Sequence, residues 1–128
     1  MASDPIFTDT IAPGVVAIAT ANANRDGTGT IGTLWTPGSD GGICWSVDIK
    51  ATVTTTAGTV RLYVHNGSAY FLIREIGVPA IPVSATQPAY ETTIDFGERG
   101  LKLPTGWSLR ASTEKAENFN VLAHAEDF

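Results

Sequence analysis

The chain has 128 residues, the length of one domain, and 43% are hydrophobic, too many for a disordered tail. Its formal net charge is −5 and its eight Lys and Arg are scattered, which argues against nucleic acid, whose phosphates need clustered basic residues. The single cysteine, Cys44, excludes an intrachain disulfide, and a zinc site would need ligands the chain lacks. Charged residues make up only 16%, against about 25% in an average soluble domain, so Thr, Ser, Asn and Gly must supply much of the polar surface.

Residues 1–13 read as an extended N-terminal arm. Pro5 and Pro13 block regular pairing, while Ile6, Phe7 and Ile11 are apolar enough to dock on the same domain or on a neighbouring subunit. The start lacks a basic segment followed by an apolar run, so it does not read as a signal peptide. No window approaches 18 uninterrupted apolar residues, and no membrane partner is expected. Residues 14–128 then read as one β-sandwich domain.

Val15 to Ala21 is a short apolar run, followed by the turn-rich stretch from Asn22 to Gly27. Thr28 to Trp35 alternates loosely, with Gly29 and Gly32 weakening the strand, and residues 37–42 form a loop. Strict alternation follows. Trp45, Val47, Ile49, Ala51 and Val53 are expected inward, with Ser46, Asp48, Lys50, Thr52 and Thr54 outward. Val60, Leu62 and Val64 alternate with Arg61, Tyr63 and His65. Asn66-Gly67 then predicts a hairpin into a strand from Tyr70 to Ile76, because both turn residues tolerate positive φ.

Pro79, Pro82 and Pro88 exclude a central strand and predict a long crossing connection. Tyr90, Thr92, Ile94 and Phe96 alternate with Glu91, Thr93 and Asp95. Trp107, Leu109 and Ala111 form a further strand, and Phe119, Val121 and Ala123 the last. No segment carries a helical period. The sum is an all-β fold: a single antiparallel β-sandwich of about eight short strands, jelly-roll or Greek-key-like.

No residue pattern points to catalysis. His65 and His124 match no metal spacing, and no His lies near Cys44 in sequence, so that thiol reads as a small buried residue. Asp95 with Glu98, and Glu126 with Asp127, sit near turns or the C-terminal end, where carboxylates are usually solvated. The glycines between strands lack the helix that a phosphate loop or dinucleotide site requires. The expectation is a binding or assembly protein with no enzyme activity, cofactor or metal. Trp45 and Trp107 are expected in the core. Tyr63, on the face opposite Leu62 and Val64, is the best single candidate for an exposed contact residue, in a carbohydrate or a protein interface.

Four segments carry a resemblance: RLYVHNGSAYFLIREI from Arg61 to Ile76, LPTGWSLRAST from Leu103 to Thr113, NFNV from Asn118 to Val121, and the final EDF from Glu126 to Phe128. Together they resemble small β-sandwich proteins encoded among the virion genes of tailed bacteriophages. The similar portion covers roughly residues 43–128. Such proteins are typically auxiliary head components, decoration or cement proteins. The resemblance implies a virion structural protein on the capsid surface, made in the bacterial cytoplasm, with the lattice of the major capsid protein as its partner. It makes a homotrimer plausible and offers no active-site residues. A tail, connector or fibre module of a phage and a carbohydrate-binding module stay open as alternatives; the last predicts at least two exposed coplanar aromatics.

Overall fold

The computed structural model describes Thr8 and residues 10–128. These residues form ten strands and no helix: β1 (Thr10–Ile11), β2 (Gly14–Ile18), β3 (Gly32–Trp35), β4 (Gly42–Ala51), β5 (Gly58–His65), β6 (Tyr70–Val78), β7 (Glu91–Asp95), β8 (Leu101–Leu103), β9 (Ser108–Thr113) and β10 (Phe119–Asp127). Two antiparallel sheets pack face to face, as the alternation predicts. Sheet A holds β1, β2, β10, β4, β7 and β8, and sheet B runs β3-β9-β5-β6.

The eight expected strands become ten because two of them are broken. β1 and β2 both pair with β10, end to end along one edge, and Pro13 interrupts them because it has no N–H to give. β7 and β8 likewise share one edge of β4, separated by the turn at Gly97–Gly100. Counted as positions, the first strand pairs with the last, the second with the seventh, the third with the sixth and the fourth with the fifth. That nested pairing is a jelly roll, two Greek keys rolled into a sandwich.

The core lies between the sheets and follows the predicted inward positions. Val47, Ile49, Leu62, Leu109, Phe119 and Val121 are all buried in it. Each such side chain contributes roughly 1.5–3 kcal/mol on burial. The 79–90 connection carries the chain from sheet B to sheet A, as the prolines require. Hairpin β5–β6 also forms where predicted, but its loop is four residues, and only Gly67 takes positive φ (+98°). Asn66 instead turns the chain with its side chain, whose Oδ1 accepts from the N–H groups of Ser68 and Ala69.

Two bulges re-aim side chains. In β4 the register jumps from His124↔Ser46 to Ala125↔Cys44, leaving Trp45 as the extra residue. In β6 it jumps from Leu62↔Arg74 to Tyr63↔Leu72, leaving Ile73 extra. β6 is the longest edge strand of sheet B. Its bulge, together with Arg74 opposite inward-facing Leu62, guards it against pairing with a foreign strand. Arg74 swings out to lie 5.7 Å from the Phe96 ring centroid.

Candidate functional site

The outer faces of the two sheets differ, and the difference locates the candidate site. Over sheet B, residues 19–31 fold back as a covering loop. It is tied by a parallel bridge between Ala21 and Thr113 and by Asn22 N–H donating to the Thr113 carbonyl at 2.8 Å. Asn22 is buried and pins the loop from inside: its Nδ2 donates to the carbonyls of Thr28 and Thr30, and its Oδ1 accepts from Asn24 N–H, each at 3.0 Å. Gly29, at φ +85°, passes so close to this amide that a Cβ would sit 2.8 Å from it.

The loop overturns one sequence expectation. Tyr63 does project from the face opposite Leu62, but it is 0% exposed rather than a contact residue. Its hydroxyl donates to the Asn24 carbonyl at 2.9 Å, and its ring stands edge-on to Tyr70 at 6.0 Å. Arg61, read from sequence as a wet-face residue, is 2% exposed under the same loop. Its Nη1 donates to the Asn22 carbonyl at 3.3 Å and its Nε lies 3.5 Å from Glu75. Arg25 closes the loop's outer rim onto Glu75 at 2.8 Å, and this pairing holds the Glu75 carboxyl below its ordinary range. A buried guanidinium is costly unless paired, so Glu75 and the Asn22 carbonyl offset its loss of water.

Among the described residues, nothing comparable covers the β1/β2 end of sheet A. Ile11 is 78% exposed and Val15 70%, and β10 places half-buried Leu122 directly opposite Val15. Trp45, expected in the core, is instead 38% exposed on this face. The bulge is the reason: Cys44 and Val47 both point inward, and Trp45 and Ser46 must share the outward turn between them. Val53, the last residue of the expected inward series, is also exposed, because β4 ends at Ala51 before the alternation reaches it.

Ile11, Pro13, Trp45, His124, Ala125 and Glu126 line an open groove of about 310 Å³. Its walls are mostly apolar and its polar groups are fixed. Trp45 Nε1 donates to Glu126 Oε1 at 3.0 Å, which sets the indole's tilt. His124 Nε2 donates to Asp48 Oδ2 at 2.7 Å, and Thr93 Oγ1 donates to Asp48 Oδ1, also at 2.7 Å. The bond from His124, then that from Thr93, hold the Asp48 carboxyl below the usual aspartate range. Glu91 pairs with Lys50 further along the same face. A shallow, mostly apolar groove with one carboxylate, Glu126, and one imidazole, His124, at its rim is suited to receiving a side chain of another molecule.

Of the residues expected to form an interface, Ile11 lies in the groove, Tyr63 does not, and Ile6 and Phe7 lie outside the described residues. Trp45, His124 and Glu126 were missed. A signal for Trp45 does exist: Ile43, Cys44 and Trp45 are three successive apolar residues at the head of an otherwise alternating strand, which an unbroken pleat cannot bury on one face.

Cys44 faces the core, with its thiol near the Ser46 carbonyl, and burial pushes its pKa up to about 12. It therefore stays a protonated, unreactive thiol at neutral pH. In sheet B, His65 accepts the Gly67 N–H and its ring lies tilted against Tyr70 at 4.4 Å. Asp95 caps Gly97 and Asp127 accepts from Gly38 N–H, so both carboxylates serve turns. Among the described residues, no three His, Cys, Asp or Glu side chains converge as metal ligands would. Comparison with known proteins finds no family model that matches this chain and no significant match among curated proteins.

Proposed function

We propose that this chain is a virion structural protein of a tailed phage, a decoration protein that binds the assembled head and stabilises it through the Ile11–Trp45 face. The observation that carries the reading is the exposed apolar surface of Ile11, Val15 and Trp45 on a domain whose other sheet has Arg61 and Tyr63 roofed by its own loop. A domain that leaves several large apolar side chains exposed on one face usually covers them in a complex. The resemblance of segments 61–76 and 103–113 to virion β-sandwich proteins supplies the partner class, the lattice of the major capsid protein. The fold adds a rigid scaffold and does not choose the function.

On a capsid the same weak contact repeats many times. Where several contacts of one oligomer engage together, modest single affinities become firm attachment. The test is co-sedimentation of the purified chain with capsids assembled from the major head protein of its own phage. The expected result is saturable binding at a fixed ratio per capsomer, with capsids that survive heating better, and loss of both on Ile11→Asp. A folded chain that leaves capsids bare at every concentration overturns the reading and points to a tail or connector role.

A further inference from the structure

We propose that the Ile11–Trp45 groove receives an extended segment of a partner protein in which one bulky apolar side chain is followed within two residues by Arg or Lys. This names the chemistry of the partner and rests on the reading of the face as a docking surface. Three observations select that occupant. First, about 310 Å³ is at the floor of what small-molecule sites use, and the groove is open rather than enclosed, so it suits one or two side chains. Its walls, Ile11, Pro13, Trp45 and Ala125, ask for an apolar group.

Second, the groove has one carboxylate in its lining, Glu126, and a second, Asp48, behind His124. Glu126 has one oxygen held by Trp45 Nε1; among the described residues, its second oxygen carries no hydrogen bond. Asp48, behind it, has both oxygens occupied by His124 and Thr93, so it adds field without offering a new bond. The free Glu126 oxygen beside the groove is the acceptor for a guanidinium or ammonium group. The same charges disfavour other occupants. A second copy of this chain would bring −5 against −5, and nucleic acid or an anionic lipid surface would be repelled likewise. A stacked glycan needs a pair of aromatics. Trp45 is exposed here, while the other well-exposed aromatic among the described residues, Phe71, sits on β6 in the opposite sheet.

Third, the backbone at this edge can give little. β1 is two residues long and Pro13 has no N–H, so added strand pairing is cut short. Recognition must therefore come from the side chain in the groove and the charge beside it.

The experiment is selection of a randomised twelve-residue peptide library on the full chain, followed by titration of the synthesised consensus peptide. The expected consensus carries Leu, Ile, Phe or Met followed within two residues by Arg or Lys. Trp45→Ala should weaken its binding by roughly tenfold or more, as removal of a central aromatic anchor does. Glu126→Gln keeps an acceptor for the indole but drops the charge. It should weaken binding about fivefold at low salt and hardly at high salt. Thermal melting of both variants confirms that they remain folded. No enrichment, an acidic consensus, or a peptide that binds Trp45→Ala as tightly as the parent overturns the proposal. A chain that pellets with capsids yet selects no such peptide loses the proposed chemistry alone. One that selects the peptide yet never binds capsids loses the capsid reading alone.

Discussion

Tyr63 and Trp45 stand in the two sheets of one sandwich, each projecting from the outer face of its strand, and they meet opposite fates. Tyr63 is roofed by the 19–31 loop and bonds to the Asn24 carbonyl; Trp45 is pushed outward by a bulge and borders an open groove. Both are large aromatics in β-strands, so composition does not separate them. What separates them is a loop arriving from 39 residues earlier in one case and a register shift against β10 in the other. Part of one outer face has thus become a second, smaller core, and the other stays exposed among the described residues.

Truncating both rings should separate the two faces most strongly. Tyr63→Ala empties a fully buried site and leaves the loop's carbonyl without its donor, so a cost of about 3–5 kcal/mol is expected in urea denaturation. Trp45→Ala removes a ring with one face already in water, and about 1 kcal/mol is expected. Cys44 supplies an independent readout, because its buried, protonated thiol can be alkylated only after opening. Where reclosing outpaces alkylation, Tyr63→Ala should speed labelling by about 10²–10⁴-fold and Trp45→Ala by about tenfold or less. Equal costs for the two variants would mean that the faces are not distinct.

Asn22 tests the roof itself. Its side chain makes three hydrogen bonds to loop backbone and none of them reaches sheet B, so it shapes the loop rather than docking it. Asn22→Ala leaves the carbonyls of Thr28 and Thr30 without their donor and is expected to cost about 2–3 kcal/mol. Amide exchange should then quicken across residues 21–30 before it does in β4 or β10. Uniform loss of protection over the whole sandwich would show instead that roof and core open as one unit.

The parts of this fold that were legible in sequence are those set by neighbours along the chain. Ser46 to Ala51 alternates because one face is wet, Asn66-Gly67 turns because the residues allow it, and Pro79, Pro82 and Pro88 refuse a ladder. The errors fall where a distant segment decides. The bulge at Trp45 is imposed by pairing with residues about 80 positions later, and the burial of Arg61 and Tyr63 by a loop that reads locally as mere turns. Ile11 was legible as an apolar residue able to dock, but its neighbours Trp45, His124 and Glu126 were not, since only the register of β4 on β10 brings them together.

The smallest effect expected concerns Asp48, and it separates the exposed face from the buried one by pH. Its carboxyl is held below the ordinary aspartate range by His124 first and Thr93 second. A depressed folded-state pKa means that stability from this group is present above the unfolded aspartate pKa, near 4, and is lost as pH falls through the lower folded value. The side chain is 43% exposed, so water screens the pair and the contribution should stay below about 0.5 kcal/mol. Asp48→Asn should therefore flatten the acid limb of the stability profile slightly and leave the neutral plateau nearly unchanged. The groove should respond more than the fold does. With His124 released from Asp48, the Ile11–Trp45 wall loses a neighbour that was fixed, and the line widths of the Trp45 indole N–H signal should increase below pH 4. A sharp, unshifted indole signal through that range would place the stiffness of the face in the β4 bulge rather than in the His124–Asp48 pair.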